Sequence, residues 1–361
     1  MLLLSFVRNE SVLLRAAGAL ASTPLNSKKR GGAGLDLDFL RSPPTLEAGR
    51  GVFSFSSSSS SSSFSSSSST SSEEEHLATA AAGGGANALE FVNFSSLGKH
   101  PDVHSPEWKL VVEQVRHVFV KGQAKGLSCF YAQLDPIVPA ESVARGYSSL
   151  SAFHALDDRV KAKYHSSRSR INRGWVPLFE EPAYEEKVSY VEGFDLGMEV
   201  PEEKARGAPG IGPNVWPSPT EIPSFRRDVY GLYEELSQAS SMLFKVFACA
   251  LDLPPDEFEK HARSQRQRSV MRLLRYPPKQ KDDRGDDDDD DDVGISAHTD
   301  FECFTLIHQS SQGLQVLARG EEGGPACWID VPPYPTSSLS TGGGGGNPSS
   351  TFVVLIGDML E

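Results

Sequence analysis

His298 and Asp300 stand two residues apart in the run Ala297-His298-Thr299-Asp300. On a β-strand, side chains two apart share a face. An imidazole nitrogen and a carboxylate oxygen can then converge on one point. That is two thirds of a 2-His-1-carboxylate set, the arrangement that holds Fe(II) and leaves coordination positions open. A hydrogen-bonded surface pair is the competing reading of these two residues.

The elements that must position them follow from the pattern around them. After about residue 268, short β-type runs alternate with turn signals: Val270–Tyr276, Cys303–His308, Leu314–Leu317, Cys327–Val331 and Phe352–Ile356. Several short strands with turns between them predict a sandwich or barrel. Two insertions, Lys279–Asp292 and Ser337–Ser350, are dominated by Asp, Ser or Gly and predict solvated loops without stable packing. The preceding segment is helical. Apolar residues at helical spacing predict helices over Trp108–Lys121, Leu150–Tyr164 and Arg226–Leu251, the last stopped by Leu253-Pro254-Pro255. Leu89–Phe94 alternates like a strand, so folded sequence is expected to begin near Ala88.

Residues 1 to about 85 have a different composition. Ser56–Ser72 is serine broken only by Phe64 and Thr70, and such a tract cannot bury enough apolar area to offset its chain entropy. The first 30 residues carry Arg8, Arg15, Lys28, Lys29 and Arg30 against the single acid Glu10. Two readings stand side by side: an organelle transit peptide and a plain disordered tail.

Composition also excludes some functions. The net charge is −13, from 48 acidic and 35 basic residues, so a general nucleic-acid binder with a basic face is not expected. No apolar run reaches the length of a membrane helix, so integral membrane association is not expected. Cys129, Cys249, Cys303 and Cys327 show no paired spacing. They read as buried fillers in a reducing compartment rather than as a disulfide framework or zinc site.

Taken in order, the segments around His298 make a pattern: Arg275-Tyr276-Pro277-Pro278, His298-Thr299-Asp300, Thr305-Leu306-Ile307, Gly313-Leu314-Gln315-Val316, Trp328-Ile329-Asp330-Val331 and Gly357-Asp358-Met359-Leu360-Glu361. It resembles the YPP, HTD, TLL, GLQV, WxxV, GDxLE order of the Fe(II)/2-oxoglutarate-dependent oxygenases, in the isopenicillin-N-synthase-like group. Phe153-His154-Ala155-Leu156, Arg173-Gly174-Trp175, Glu192-Gly193-Phe194-Asp195 and Leu251-Asp252-Leu253-Pro254 are similar to that group's N-terminal segments. The resemblance spans about residues 88 to 361. The group's glycine-rich turn appears only in degraded form, over Gly126–Asp135.

The resemblance implies an α+β, mainly β fold. This is a double-stranded β-helix (jelly roll), C-terminally incomplete, preceded by an N-terminal helical segment. The implied organisation is a disordered Ser-rich extension over 1–85, an N-terminal dioxygenase-like region over 86–265, and a partial jelly roll over 266–361. The implied cofactors are Fe(II), held by His298 and Asp300, and 2-oxoglutarate as co-substrate, with ascorbate as reductant. The implied chemistry is hydroxylation or a related C–H oxidation of a small organic substrate, by a cytoplasmic monomer. A mitochondrial or plastid location is the alternative. Tyr276 is the implied co-substrate contact, with a core tyrosine as the alternative. Arg272 has the same strand parity and could meet a carboxylate, although an exposed arginine is the plainer expectation. His308 is expected to be structural or solvent-facing, not a ligand. In the family the distal histidine ligand and the 2-oxoglutarate-binding arginine follow GDxLE, and the chain ends at Glu361. Weak iron binding, an exposed sheet edge and doubtful activity are therefore expected. An inactive binding or regulatory relative, or an incomplete gene model, is the alternative to an active oxygenase.

Overall fold

The computed structural model of the chain describes residues 2–6, 52–56, 89–180, 190–205, 210–263, 269–277, 293–318, 325–334, 349–358 and 360. Its strands are β1 Leu2–Phe6, β2 Val52–Ser56, β3 Phe91–Asn93, β4 Cys129–Gln133, β5 Gly174–Val176, β6 Glu192–Gly197, β7 Val270–Arg275, β8 Val293–His298, β9 Phe304–His308, β10 Leu314–Ala318, β11 Cys327–Val331 and β12 Thr351–Ile356. The helices that matter to packing are α1 Pro106–Lys125, α2 Ala140–His154, α3 Phe225–Ala250 and α4 Glu257–Arg263.

The strands build two sheets. The larger runs β3-β4-β12-β9-β1-β7-β6-β5 and the smaller β11-β10-β2-β8. In β9 and β12, alternate residues serve opposite faces. Leu306 and Val354 join the helix-side core, where Phe244 and Phe247 of α3 meet Phe304 at ring-centroid distances of 4.9 and 5.3 Å. Ile307, Val353 and Leu355 face the other way and pack with Leu314, Val316 and Val331 of the smaller sheet. A strand buried on both faces must be apolar throughout, which explains Thr351-Phe352-Val353-Val354-Leu355-Ile356.

A buried ion network ties the helical layer to the larger sheet. Glu192 on β6 accepts hydrogen bonds from Lys161 Nζ at 2.7 Å, Trp175 Nε1 at 2.8 Å and Arg275 Nη1 at 3.1 Å. His154 Nδ1, at the end of α2, lies 2.8 Å from its second oxygen. Burial alone would raise the Glu192 carboxyl, but these neighbours outweigh it and hold it well below the usual carboxylate range.

Several expectations need correction. The helix expected over Leu150–Tyr164 begins at Ala140 and ends at His154. Asp157 then caps a separate turn by accepting from the Arg159 N–H, so the apolar spacing bridged a break. Residues 1–85 are not wholly without structure, because β1 and β2 lie there. Leu2-Leu3-Leu4-Ser5-Phe6 and Val52-Phe53-Ser54-Phe55-Ser56 are short β-forming runs. Their pairing partners lie more than 200 residues away, and no local signal reveals them. β1 pairs antiparallel with both β7 and β9, and β2 with both β8 and β10. Backbone from the N-terminal extension thus lies inside both sheets, and the two sheets do not close into a barrel. The rest of 1–85 and all of 279–292 lie outside the described residues. At the end of the second insertion, Ser350 is buried and its carbonyl accepts from the Leu134 N–H. The rest of that insertion, 337–348, lies outside the described residues.

Candidate metal centre

β8 ends on His298, and the turn to β9 carries Thr299 to Cys303. Asp300 lies beyond the strand, yet its side chain still meets the histidine. His298 Nε2 is 3.8 Å from Asp300 Oδ1, with side chains 16% and 10% exposed. The other carboxylate oxygen, Oδ2, accepts from the Thr305 hydroxyl on β9. Burial pushes the Asp300 carboxyl up to about 6. The Thr305 hydrogen bond opposes this, the negative charge of Asp358 adds to it, and Arg272 opposes it. A buried carboxylate with a second carboxylate nearby favours a cation at the site.

The turn is pinned from the end of β12. The Gly357 N–H donates to the Cys303 carbonyl at 3.0 Å, and the Asp358 N–H to the Asp300 carbonyl at 2.9 Å. Thr299 Oγ1 donates to Asp358 Oδ2 at 3.0 Å. A Cβ on residue 357 would sit 2.0 Å from the Glu302 carbonyl oxygen and 2.9 Å from that of Asp300. Only glycine fits this crossing. Thr305 and Asp358 thus hold the candidate ligands. Neither role was assigned from the sequence, although both residues belong to the motifs quoted for the resemblance.

The remaining residues fall in different settings. Tyr276, just after β7, packs half-buried on the inter-sheet apolar cluster with Ile295 and Tyr334. Arg272 is not an exposed arginine. Its side chain is 19% exposed and its Nε donates to Asp195 Oδ1 at 3.1 Å. His308 is structural and not solvent-facing. Nδ1 lies 2.9 Å from the Tyr147 hydroxyl and Nε2 lies 3.0 Å from the Ser349 carbonyl, which places the imidazole proton on Nε2. Burial lowers its pKa to about 4. Cys129 and Cys303 are buried, but Cys249 is only partly so and Cys327 is exposed, which corrects the filler reading for that residue.

His298 and Asp300 converge as an imidazole–carboxylate pair, two donors of the kind a metal site uses. Among the described residues, no group of three or more His, Cys, Asp or Glu side chains is placed to hold an ion. Within the same residues, no helix is long and apolar enough to cross a membrane.

Comparison with known proteins points the same way. Residues 90–219 match the family model of the N-terminal region of non-haem dioxygenases in morphine synthesis, and residues 267–361 match that of the 2OG-Fe(II) oxygenase superfamily. A 2-oxoglutarate-dependent dioxygenase of Didymella fabae is 31% identical over 265 residues, covering 71% of each chain. The 2-oxoglutarate-dependent dioxygenase citB of Monascus ruber is 29% identical over 228 residues, and this chain spans only 60% of its length. A 2OG-Fe(II) oxygenase family protein from Caulobacter crescentus superposes with a TM-score of 0.53 at 24% identity, covering 76% of this chain and 75% of that one. A C-terminally truncated Neurospora crassa protein, solved in its apo form, superposes with a TM-score of 0.52 at 18% identity, covering 75% of this chain and 82% of that one. At these identities the two structures speak to the fold alone, that of the jelly-roll oxygenases, while the two sheets described here do not close into a barrel.

Proposed function

The chain belongs to the 2OG-Fe(II) oxygenase superfamily, and from that membership we propose that it oxidises a C–H bond of a small organic substrate at the expense of 2-oxoglutarate. The observation that carries the reading is the convergence of His298 and Asp300 on a shielded, polar turn. In this reading His298 Nε2 and Asp300 Oδ1 hold Fe(II). When bound, the iron supplies oxygen activation coupled to decarboxylation of 2-oxoglutarate.

The chain's own residues supply orientation. Thr305 fixes the Asp300 carboxylate, and the Gly357–Asp358 backbone fixes the turn. Apolar side chains between the sheets exclude water. Tyr276, on that cluster, is assigned as a co-substrate contact. Ascorbate as reductant, a monomeric state and a cytoplasmic location, with mitochondrion or plastid as the alternative, belong to the same proposal. A second reading, a binding or regulatory member without turnover, is favoured by one observation: among the described residues no third side-chain ligand joins the pair.

Titration with Co(II), followed by its visible spectrum, tests the site. Saturable binding that is lost in His298→Ala and weakened in Asp300→Asn is expected. Binding unaffected by both variants would remove the pair from any metal centre. Succinate release from 2-oxoglutarate under Fe(II) and ascorbate then separates the oxygenase from the silent binder.

A further inference from the structure

Strand β8 ends on His298 and lies at one end of the smaller sheet, where β2 is its one strand neighbour among the described residues. On its other side β2 pairs with β10, so it is flanked by both. Along β8, Ile295 packs on the inter-sheet apolar cluster, Ala297 is exposed, and His298 is shielded beside Asp300. In a regular strand residues three apart serve opposite faces, so Ile295 and His298 would part. The pairing with β2 prevents this. Between Phe55↔Ile295 and Phe53↔His298, β2 advances two residues while β8 advances three. The extra residue is a bulge on β8, and a bulge reverses the alternation beyond it. His298 is thereby turned to the side of Ile295.

The two candidate ligands are therefore held from different sides. Asp300 is fixed from the larger sheet, by Thr305 on β9 and by the backbone at the end of β12. His298 is fixed from the smaller sheet, by a bulge that exists only against β2. We propose that β2 is a positioning element of the metal centre: the backbone of Val52–Ser56 sets the bulge that aims His298, so that insertion of this strand and binding of the ion are coupled. The proposal deepens the oxygenase reading and rests on it for the identity of the ion. Whatever withdraws the strand loosens the ion, and the ion in turn holds the strand, because coupling between two sites is reciprocal.

The test uses the full chain and acts on the backbone of β2. A strand flanked on both sides does not accept proline, which removes a ladder hydrogen bond. Ser54→Pro should therefore release β2 and weaken Co(II) binding by roughly 5- to 150-fold, the span of ordinary coupling between two sites. Ser54→Ala restores the N–H and should restore the binding. In the reverse direction, saturating Co(II) should slow amide exchange of Val52–Ser56 in the wild-type chain but not in His298→Ala. A strand with a merely structural role would not respond to the ion. Without metal, mass spectrometry should find His298 modified faster by diethyl pyrocarbonate in Ser54→Pro than in the wild-type chain. The inference is overturned if Ser54→Pro, folded by circular dichroism, binds Co(II) with wild-type affinity. It is also overturned if Co(II) leaves the exchange of β2 unchanged, a result read on the wild-type chain that needs no folded variant. If the wild-type chain fails to bind Co(II), the oxygenase reading fails by itself. The metal-free modification rates then decide the role of β2: a faster rate in Ser54→Pro upholds it, and equal rates overturn it.

Discussion

Gly357 has no side chain because the Glu302 carbonyl leaves no room for one. Gly357→Ala should push the Asp300–Cys303 turn away from β12. A backbone clash of this kind costs about 1–3 kcal/mol, so thermal unfolding should shift downward and Co(II) affinity should fall with it. Unchanged melting would show that the turn moves freely. His308 makes a different prediction. Its folded pKa is lowered to about 4 from an ordinary 6.5, so the unfolded chain binds the extra proton first. The stabilisation is complete above pH 6.5 and is lost as the pH falls toward 4. Urea unfolding of His308→Asn between those limits should show a shallower loss of stability than the wild-type chain; an identical slope would assign the acid sensitivity elsewhere. At this scale the nearness of His298 and Asp300 was legible from their spacing, although Asp300 lies in the turn and not on the strand that the spacing assumed. Thr305 and Asp358 were not legible, because the turn and β12 decide what they touch.

Among the elements, those with strong periodicity were the readable ones. The apolar stripe of α3 and the continuous apolar run of β12 announce themselves, and both lie within a residue of expectation. Strand β6 did not, since Glu-Gly-Phe-Asp-Leu-Gly has two glycines and two acids and reads as a turn. Its place in the sheet is secured by Glu192, whose partners come from α2, the turn after it, β5 and β7. Removing the charge would leave Lys161 with Asp158 alone and would weaken the bonds from Trp175 and Arg275. Glu192→Gln should therefore destabilise the chain by about 2–3 kcal/mol, measured by equilibrium urea unfolding. A loss under about 1 kcal/mol, within the range of a surface pair, would mean that solvent reaches the network.

For the molecule as a whole, composition separated the Ser-rich tract from the folded remainder but could not show that two short runs within the extension return to the sheets. Phe53 pairs in register with His298, and Leu3 with Arg272 and Ile307. Deleting residues 2–56 should strip hydrogen-exchange protection from the facing amides of β7, β8 and β9 while leaving α3 protected; unchanged protection would mean that those sheets hold without the extension. The position of β1 also sets an order of events. The strands on either side of it, Val270–Arg275 and Phe304–His308, are made roughly 270 to 300 residues after it. At about 5–20 residues per second, β1 waits roughly 15 to 60 seconds for a partner. Its contacts are among the most distant in the chain, so they carry a large loop-closure cost and should form late. In a pulsed-exchange refolding experiment, the helix-side core should gain protection first, and the β1 amides should follow as a separate, slower phase. A single phase covering both would mean that the strand is captured early and the sheet assembles around it.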